Sequence, residues 1–151
     1  MQNINEILIK AERFCAYQER NSYEVKKKLH ELQVDDETTT TVIASLKEND
    51  FLNDERYAKL FVSGKFRIKK WGKIKIRAEL RMKKISENLI TKALCFIEDD
   101  TYQKTIQELI KKKESQLSGR EIKDKKEKVF RFLVSKGFES GLVLKKLNTK
   151  S

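Results

Sequence analysis

Between Lys65 and Arg77 the chain reads Lys-Phe-Arg-Ile-Lys-Lys-Trp-Gly-Lys-Ile-Lys-Ile-Arg, seven cations in thirteen positions with no acid among them. Cations at this density can neutralise phosphates and release the counterions condensed on a nucleic acid, or meet an acidic protein surface. A solvated face is the plainer explanation of any lysine-rich run. The length of this one, its freedom from acids and its interleaved aromatics favour a binding surface. The candidate contacts are Lys65, Arg67, Lys69, Lys70, Trp71, Lys73, Lys75 and Arg77, with Arg81 one helical turn further on. Trp71 admits two readings: stacking on a base or a partner side chain, or closing a core beside Phe66 and Ile74, as large aromatics usually do. Lys73 opens a helix, whose N-terminal field favours a phosphate or carboxylate and makes Lys73 and Lys75 mildly unfavourable for folding alone. A secondary basic patch comprises Lys111, Lys112 and Lys113 near the end of one helix and Lys123, Lys125 and Lys126 at the start of the next. It suits a solvated surface and a second contact equally.

Residues for catalysis are missing from this pattern. His30 is the sole histidine and lies between Leu29 and Glu31, a surface or boundary position. No Cys-His or Ser-His pairing has a recognisable spacing, and there is no P-loop, no glycine-rich nucleotide fingerprint and no carboxylate set with metal-ligand spacing. Cys15 and Cys95, the two cysteines, form neither a metal motif nor a disulfide framework. The expectation is a protein without catalytic residues, metal or cofactor: not an enzyme.

The elements that carry the cations are helices. Across 151 residues there is no proline and glycine occurs 5 times, which favours uninterrupted helices over sharply turning strands. Apolar and charged residues each make up 38%, enough for several small cores in a row but thin for one large core. The N-terminus has neither a basic nor an apolar leader region, and no 18-residue apolar run occurs. No signal peptide and no membrane span are expected, so the reading is cytoplasmic.

An internal repeat organises the helices. With Leu29, Leu80 and Leu133 in register, at offsets of 51 and 53 residues, four further columns align: Val25/Ile76/Val129, Val34/Ile85/Phe138, Thr39/Ile90/Val143 and Ile43/Leu94/Leu147. Eleven of those twelve residues are apolar. The spacing predicts three tandem three-helix repeats, residues 1–50, 51–98 and 99–151, in an elongated, curved all-α array. Helix caps are expected at Asn21 or Ser22, Asp35, Asn53-Asp54, Ser86 and Asp99-Asp100. Tyr23, Val25, Leu29 and Leu32 are expected to face inward, as are Ile74, Ile76, Leu80 and Met82, and Val129, Phe130, Leu133 and Val134. Gly137 fits a left-handed residue after a helix; Gln33 and Lys84, at the matching positions, would either hold that turn at some cost or exit differently. The repeats differ in charge, with 7 basic and 10 acidic side chains over 1–50, 13 and 5 over 51–98, and 14 and 8 over 99–151. An acidic unit is therefore joined to two basic ones.

The ordered set Phe51-Leu52-Asn53-Asp54-Glu55-Arg56-Tyr57-Ala58, then Phe61-Val62, Lys65, Gly72, Ile74, Ile76, Leu80 and Ile85, resembles the central signature of the RecX family. Ser22-Tyr23-Glu24-Val25 with Leu29 is similar to its opening element, with the acid moved one place, and Lys136-Gly137-Phe138 to its closing element. Lys84 stands where the family often has glycine. The resemblance implies a bacterial cytoplasmic protein, a monomer, that binds the recombinase RecA and its filament and inhibits strand exchange, ATP hydrolysis and co-protease activity. It also implies contact with single- or double-stranded DNA, through the filament, and no membrane partner. Two other classes fit the residues: a stand-alone helix-turn-helix-like DNA-binding protein or transcription regulator, and a structural adaptor for acidic proteins.

Overall fold

The structure is a computed structural model and describes residues 3–119 and 121–149. Among these residues every regular element is a helix: α1 (Ile4–Tyr17), α2 (Ser22–Glu31), α3 (Asp36–Glu48), α4 (Asp54–Arg67), α5 (Lys73–Met82), α6 (Glu87–Leu94), α7 (Asp99–Gln116), α8 (Ile122–Ser135) and α9 (Ser140–Thr149). They pack in threes, α1–α3, α4–α6 and α7–α9, here called repeats 1, 2 and 3. Short polar side chains set the helix starts. Asn3, Asn21, Asp35, Asn53 and Ser86 each accept the N–H three residues on, which satisfies an otherwise orphaned donor. At α7 the cap is Glu98 instead of the expected Asp99-Asp100, and those two aspartates occupy the first helical turn.

The second helix of every repeat ends in the same way. Gln33, Lys84 and Gly137 all take positive φ, at 62°, 62° and 98°. The next N–H returns to the anchor leucine: Val34 to the Leu29 carbonyl, Ile85 to Leu80 and Phe138 to Leu133. The left-handed residue itself donates to His30, Arg81 or Val134. This double bond pattern brings the residue after the turn against the leucine that begins it. Gln33 and Lys84 thus hold the left-handed turn rather than take another exit.

The anchors Leu29, Leu80 and Leu133 are buried alike, as are Val25, Ile76 and Val129. Tyr23, Ile74, Met82 and Val134 are not inward-facing but exposed, at 43%, 55%, 71% and 39%. Tyr23, Ile74 and Met82 each sit two residues from a buried position, and Val134 sits one residue from Leu133. At 3.6 residues per turn a side chain two places away points to the opposite face, and one a single place away is turned by about 100°.

Two cores form rather than one in each repeat. One joins Ile7, Ala11, Cys15, Val25, Leu29, Val42 and Leu46 with Leu52. The other runs without a break from Ala58 to Leu147 through repeats 2 and 3. A ring series makes the second continuous: Phe66 to Tyr102 at 5.8 Å and Tyr102 to Phe138 at 5.4 Å. The surface exposed is 10,006 Å², against about 8,000 Å² for a compact monomer of 17.8 kDa. The excess is that of an extended array.

Candidate polyanion interface

The basic stretch folds around the joint between repeats 2 and 3. After α4, Lys70 takes φ 57° and the Trp71 N–H returns to the Lys65 carbonyl at 3.1 Å. The chain then meets the turn after α8: Gly72 N–H donates to the Lys136 carbonyl at 2.8 Å and Ile74 N–H to that of Gly137 at 3.0 Å. Both contacts require glycine. A Cβ on Gly72 would lie 2.2 Å from the Gly137 carbonyl carbon, and one on Gly137 2.3 Å from the Lys75 Cβ. Between them Lys73 N–H donates to the Tyr102 hydroxyl at 3.0 Å, and that hydroxyl donates to Glu139. The first N–H groups of α5 are thereby occupied within the fold. The N–H groups expected to favour an anion at this helix start are therefore engaged, and the cations here are on side chains.

Those side chains gather over a row of aromatics. Tyr57 stacks on Phe61 at 6.1 Å, and Phe61 meets Trp71 edge to face at 6.5 Å. Lys65 and Lys75 place their ammonium groups 4.8 Å and 4.4 Å from the Trp71 ring centre. Lys65 and Lys83 approach Phe61. Trp71 is half-buried, packed on Phe61 and roofed by lysines; Ile74, its expected neighbour, points outward. Lys73 lies over Tyr102 at 4.7 Å.

Lys136 links this group to the third repeat. Its ammonium donates to the Lys69 carbonyl at 2.8 Å. Partial burial, and then the charges of Lys75, Lys112 and Lys69, push its pKa down. Lys113 and Lys136 share the Phe132 ring, at 4.7 Å and 5.8 Å. Lys65, Lys69, Lys75, Lys112, Lys113 and Lys136 therefore form one cationic face across the joint. Sequence reading missed Lys136, Lys83 and Phe132. The only signal was Lys136 beside the glycine of the closing turn, 67 residues from its partner Lys69.

Other candidates stand apart. Arg77 and Arg81 both bind Glu87, Arg77 at 2.8 Å, and Arg81 foremost holds the Glu87 carboxyl below its ordinary range. Arg67 and Lys70 are exposed at the α4 exit. Lys111 points elsewhere and lines a cleft with Lys104 and Lys146. Lys123, Lys125 and Lys126 begin α8, about 20 Å from its Lys136 end. Among the described residues no group of three His, Cys, Asp or Glu side chains could hold a metal, and no helix is long and apolar enough to cross a membrane.

Known proteins share this fold. Residues 53–94 match the family model of the second three-helix domain of RecX, and residues 100–147 that of the third. Regulatory protein RecX of Clostridium perfringens is 35% identical over 118 residues, covering 77% of this chain and 55% of that protein. Regulatory protein RecX of Lactobacillus gasseri is 28% identical over 138 residues, covering 89% and 51%. The chain spans little more than half the length of these curated relatives. The crystal structure of RecX from Lactobacillus salivarius superposes with a TM-score of 0.90 at 25% identity, covering 97% of this chain and 95% of that one. With two consecutive domain models matched, this fold and these relatives, the chain belongs to the RecX family of regulatory proteins.

Proposed function

We propose that this chain is a cytoplasmic, monomeric, non-enzymatic regulator of homologous recombination, which binds RecA and the RecA–DNA filament and inhibits strand exchange, ATP hydrolysis and co-protease activity. The observation that carries the reading is the single cationic face formed by Lys65, Lys69, Lys75, Lys112, Lys113 and Lys136 over Trp71 and Phe132. An extended array presenting such a face can follow an anionic polymer, neutralising phosphates or acidic side chains along it. Single- or double-stranded DNA would be met within the filament. The work divides among residues 1–50, 51–98 and 99–151, with the last two carrying the face.

The test is RecA-dependent ATP hydrolysis on single-stranded DNA with this protein added. Inhibition is expected. The triple variant Lys65→Glu, Lys69→Glu, Lys75→Glu should weaken it at least tenfold and flatten its dependence on salt. A folded triple variant that inhibits as well as the parent would remove the face from the mechanism.

A stand-alone helix-turn-helix protein would place its third helix in the major groove. In repeat 2 that helix is α6, whose Glu87 is tied to two arginines and whose Lys92 is tied to Glu55 at 2.8 Å. The cations lie on α4, α5 and the turn between them, which favours the filament reading.

A further inference from the structure

Repeat 1 has an open groove where repeat 2 has a filled one. Shifted by 51 residues, Lys10 corresponds to Phe61, Phe14 to Lys65, Arg20 to Trp71 and Leu32 to Lys83. In repeat 2 the Phe61 and Trp71 rings pack together between the first and second helices, and Lys65 and Lys83 cover them. In repeat 1 the cation and the aromatic change places: the Arg20 guanidinium lies 3.8 Å over the Phe14 ring, and no aromatic stands at position 10. A cleft of about 390 Å³ remains between α1 and α2. Its floor is carbon, from Ala11, Phe14, Leu29 and Leu32, and its rim is Lys10, Arg13 and Lys28.

The rim runs against the composition of its repeat. Residues 1–50 hold 10 acids and 7 bases, yet three of those bases and no acid line this cleft. Among the described residues none of the three is in an ion pair. An apolar trough between two helices accepts the apolar face of a third, with side chains at i, i+3, i+4 and i+7 entering it. Cations on the rim then select acids on the flanks of the incoming helix. A nucleic acid fits less well, since its phosphates would lie over carbon.

We propose that the α1–α2 groove of repeat 1 docks an acidic amphipathic helix of a partner protein. The site is separate from the cationic face of repeats 2 and 3 and does not depend on what that face binds.

The full chain would be titrated, by fluorescence anisotropy, with a labelled synthetic peptide carrying leucines at i, i+3, i+4 and i+7 spacing and glutamates elsewhere, and with a lysine counterpart. Three variants locate the binding: Lys10→Glu with Lys28→Glu; Leu32→Lys, which installs the residue that covers the groove in repeat 2; and Lys65→Glu with Lys75→Glu. The glutamate peptide is expected to bind, the first two variants to weaken it at least about tenfold, and the third to change it less than about twofold. Circular dichroism checks folding, and Arg13→Glu, at an exposed position, replaces the double variant should that one lose helix. No binding, equal binding of the lysine peptide, or loss only in the Lys65/Lys75 variant would overturn the proposal. So would a self-association, seen by ultracentrifugation, that Leu32→Lys abolishes, since the groove would then belong to a second copy.

Discussion

Tyr102 occupies the centre of the joint between repeats 2 and 3, fully buried, with its hydroxyl accepting from Lys73 N–H and donating to Glu139. Burial, reinforced by the Glu139 bond, pushes its ionisation well above the ordinary 10.0. The stability such a phenol contributes is complete below pH 10 and is lost as the pH rises above it, because the unfolded chain ionises first. Urea midpoints measured between pH 8 and pH 11 should fall, and Tyr102→Phe should fall less steeply. At pH 8 that variant should be about 1–3 kcal/mol less stable, since it leaves a buried N–H and a carboxylate without their partner. Lys136 makes the opposite case. Burial and neighbouring cations depress its pKa, so it should titrate below ordinary lysines in side-chain NMR and move back up when a polyanion covers the face. Sequence reading gave neither residue a place in the joint, because their partners lie 29, 37 and 67 positions away. The anchor leucines were legible because their spacing follows the helix itself.

At the scale of elements, the repeated helix–turn after each anchor leucine is the unit that the sequence records most clearly. Its three left-handed residues differ: glycine at 137 but side chains at 33 and 84. A non-glycine residue there costs about 1–2 kcal/mol. Lys84→Gly, at an exposed site, should therefore raise stability by up to about 1 kcal/mol, read as a higher denaturant midpoint with an unchanged slope. Gly137→Ala should do the reverse and more strongly, by upwards of about 2 kcal/mol, because positive φ and a 2.3 Å approach to Lys75 act together. Gly72→Ala, facing backbone at 2.2 Å, should behave likewise. In the sequence Gly72 stands between Trp71 and Lys73, which allows a tight turn or a close backbone approach. That its neighbour would be the turn after α8 was not readable, since nothing local encodes which surface fills the space.

For the whole molecule the two cores predict two cooperative units. In native-state hydrogen exchange, amides of α4–α9 should reach a common opening free energy, and those of α1–α3 a separate one. A single isotherm for all helices would contradict the division. The expectation of several cores in a row failed between repeats 2 and 3 because aromatics at 66, 102 and 138 bridge them, and it held between repeats 1 and 2. Here polar contacts stand beside the buried Leu52 of the first core: Ser22 N–H to the Asp54 carboxylate at 2.8 Å, and Arg56 to Glu19 at 2.8 Å.

The two joints thus respond to different things. The one built of backbone bonds and rings carries like charges across it, which ions screen without breaking those bonds, while the one tied by carboxylates and a guanidinium softens as ions screen it. The expected behaviour is that of a stiff forearm with a salt-sensitive elbow. If the cationic face grips a long filament, as proposed, added salt would loosen that grip and unset the angle of the arm together. A log–log plot of affinity against salt would then be steeper than the number of phosphates touched. Arg56→Gln should make that plot shallower although Arg56 lies outside the cationic face.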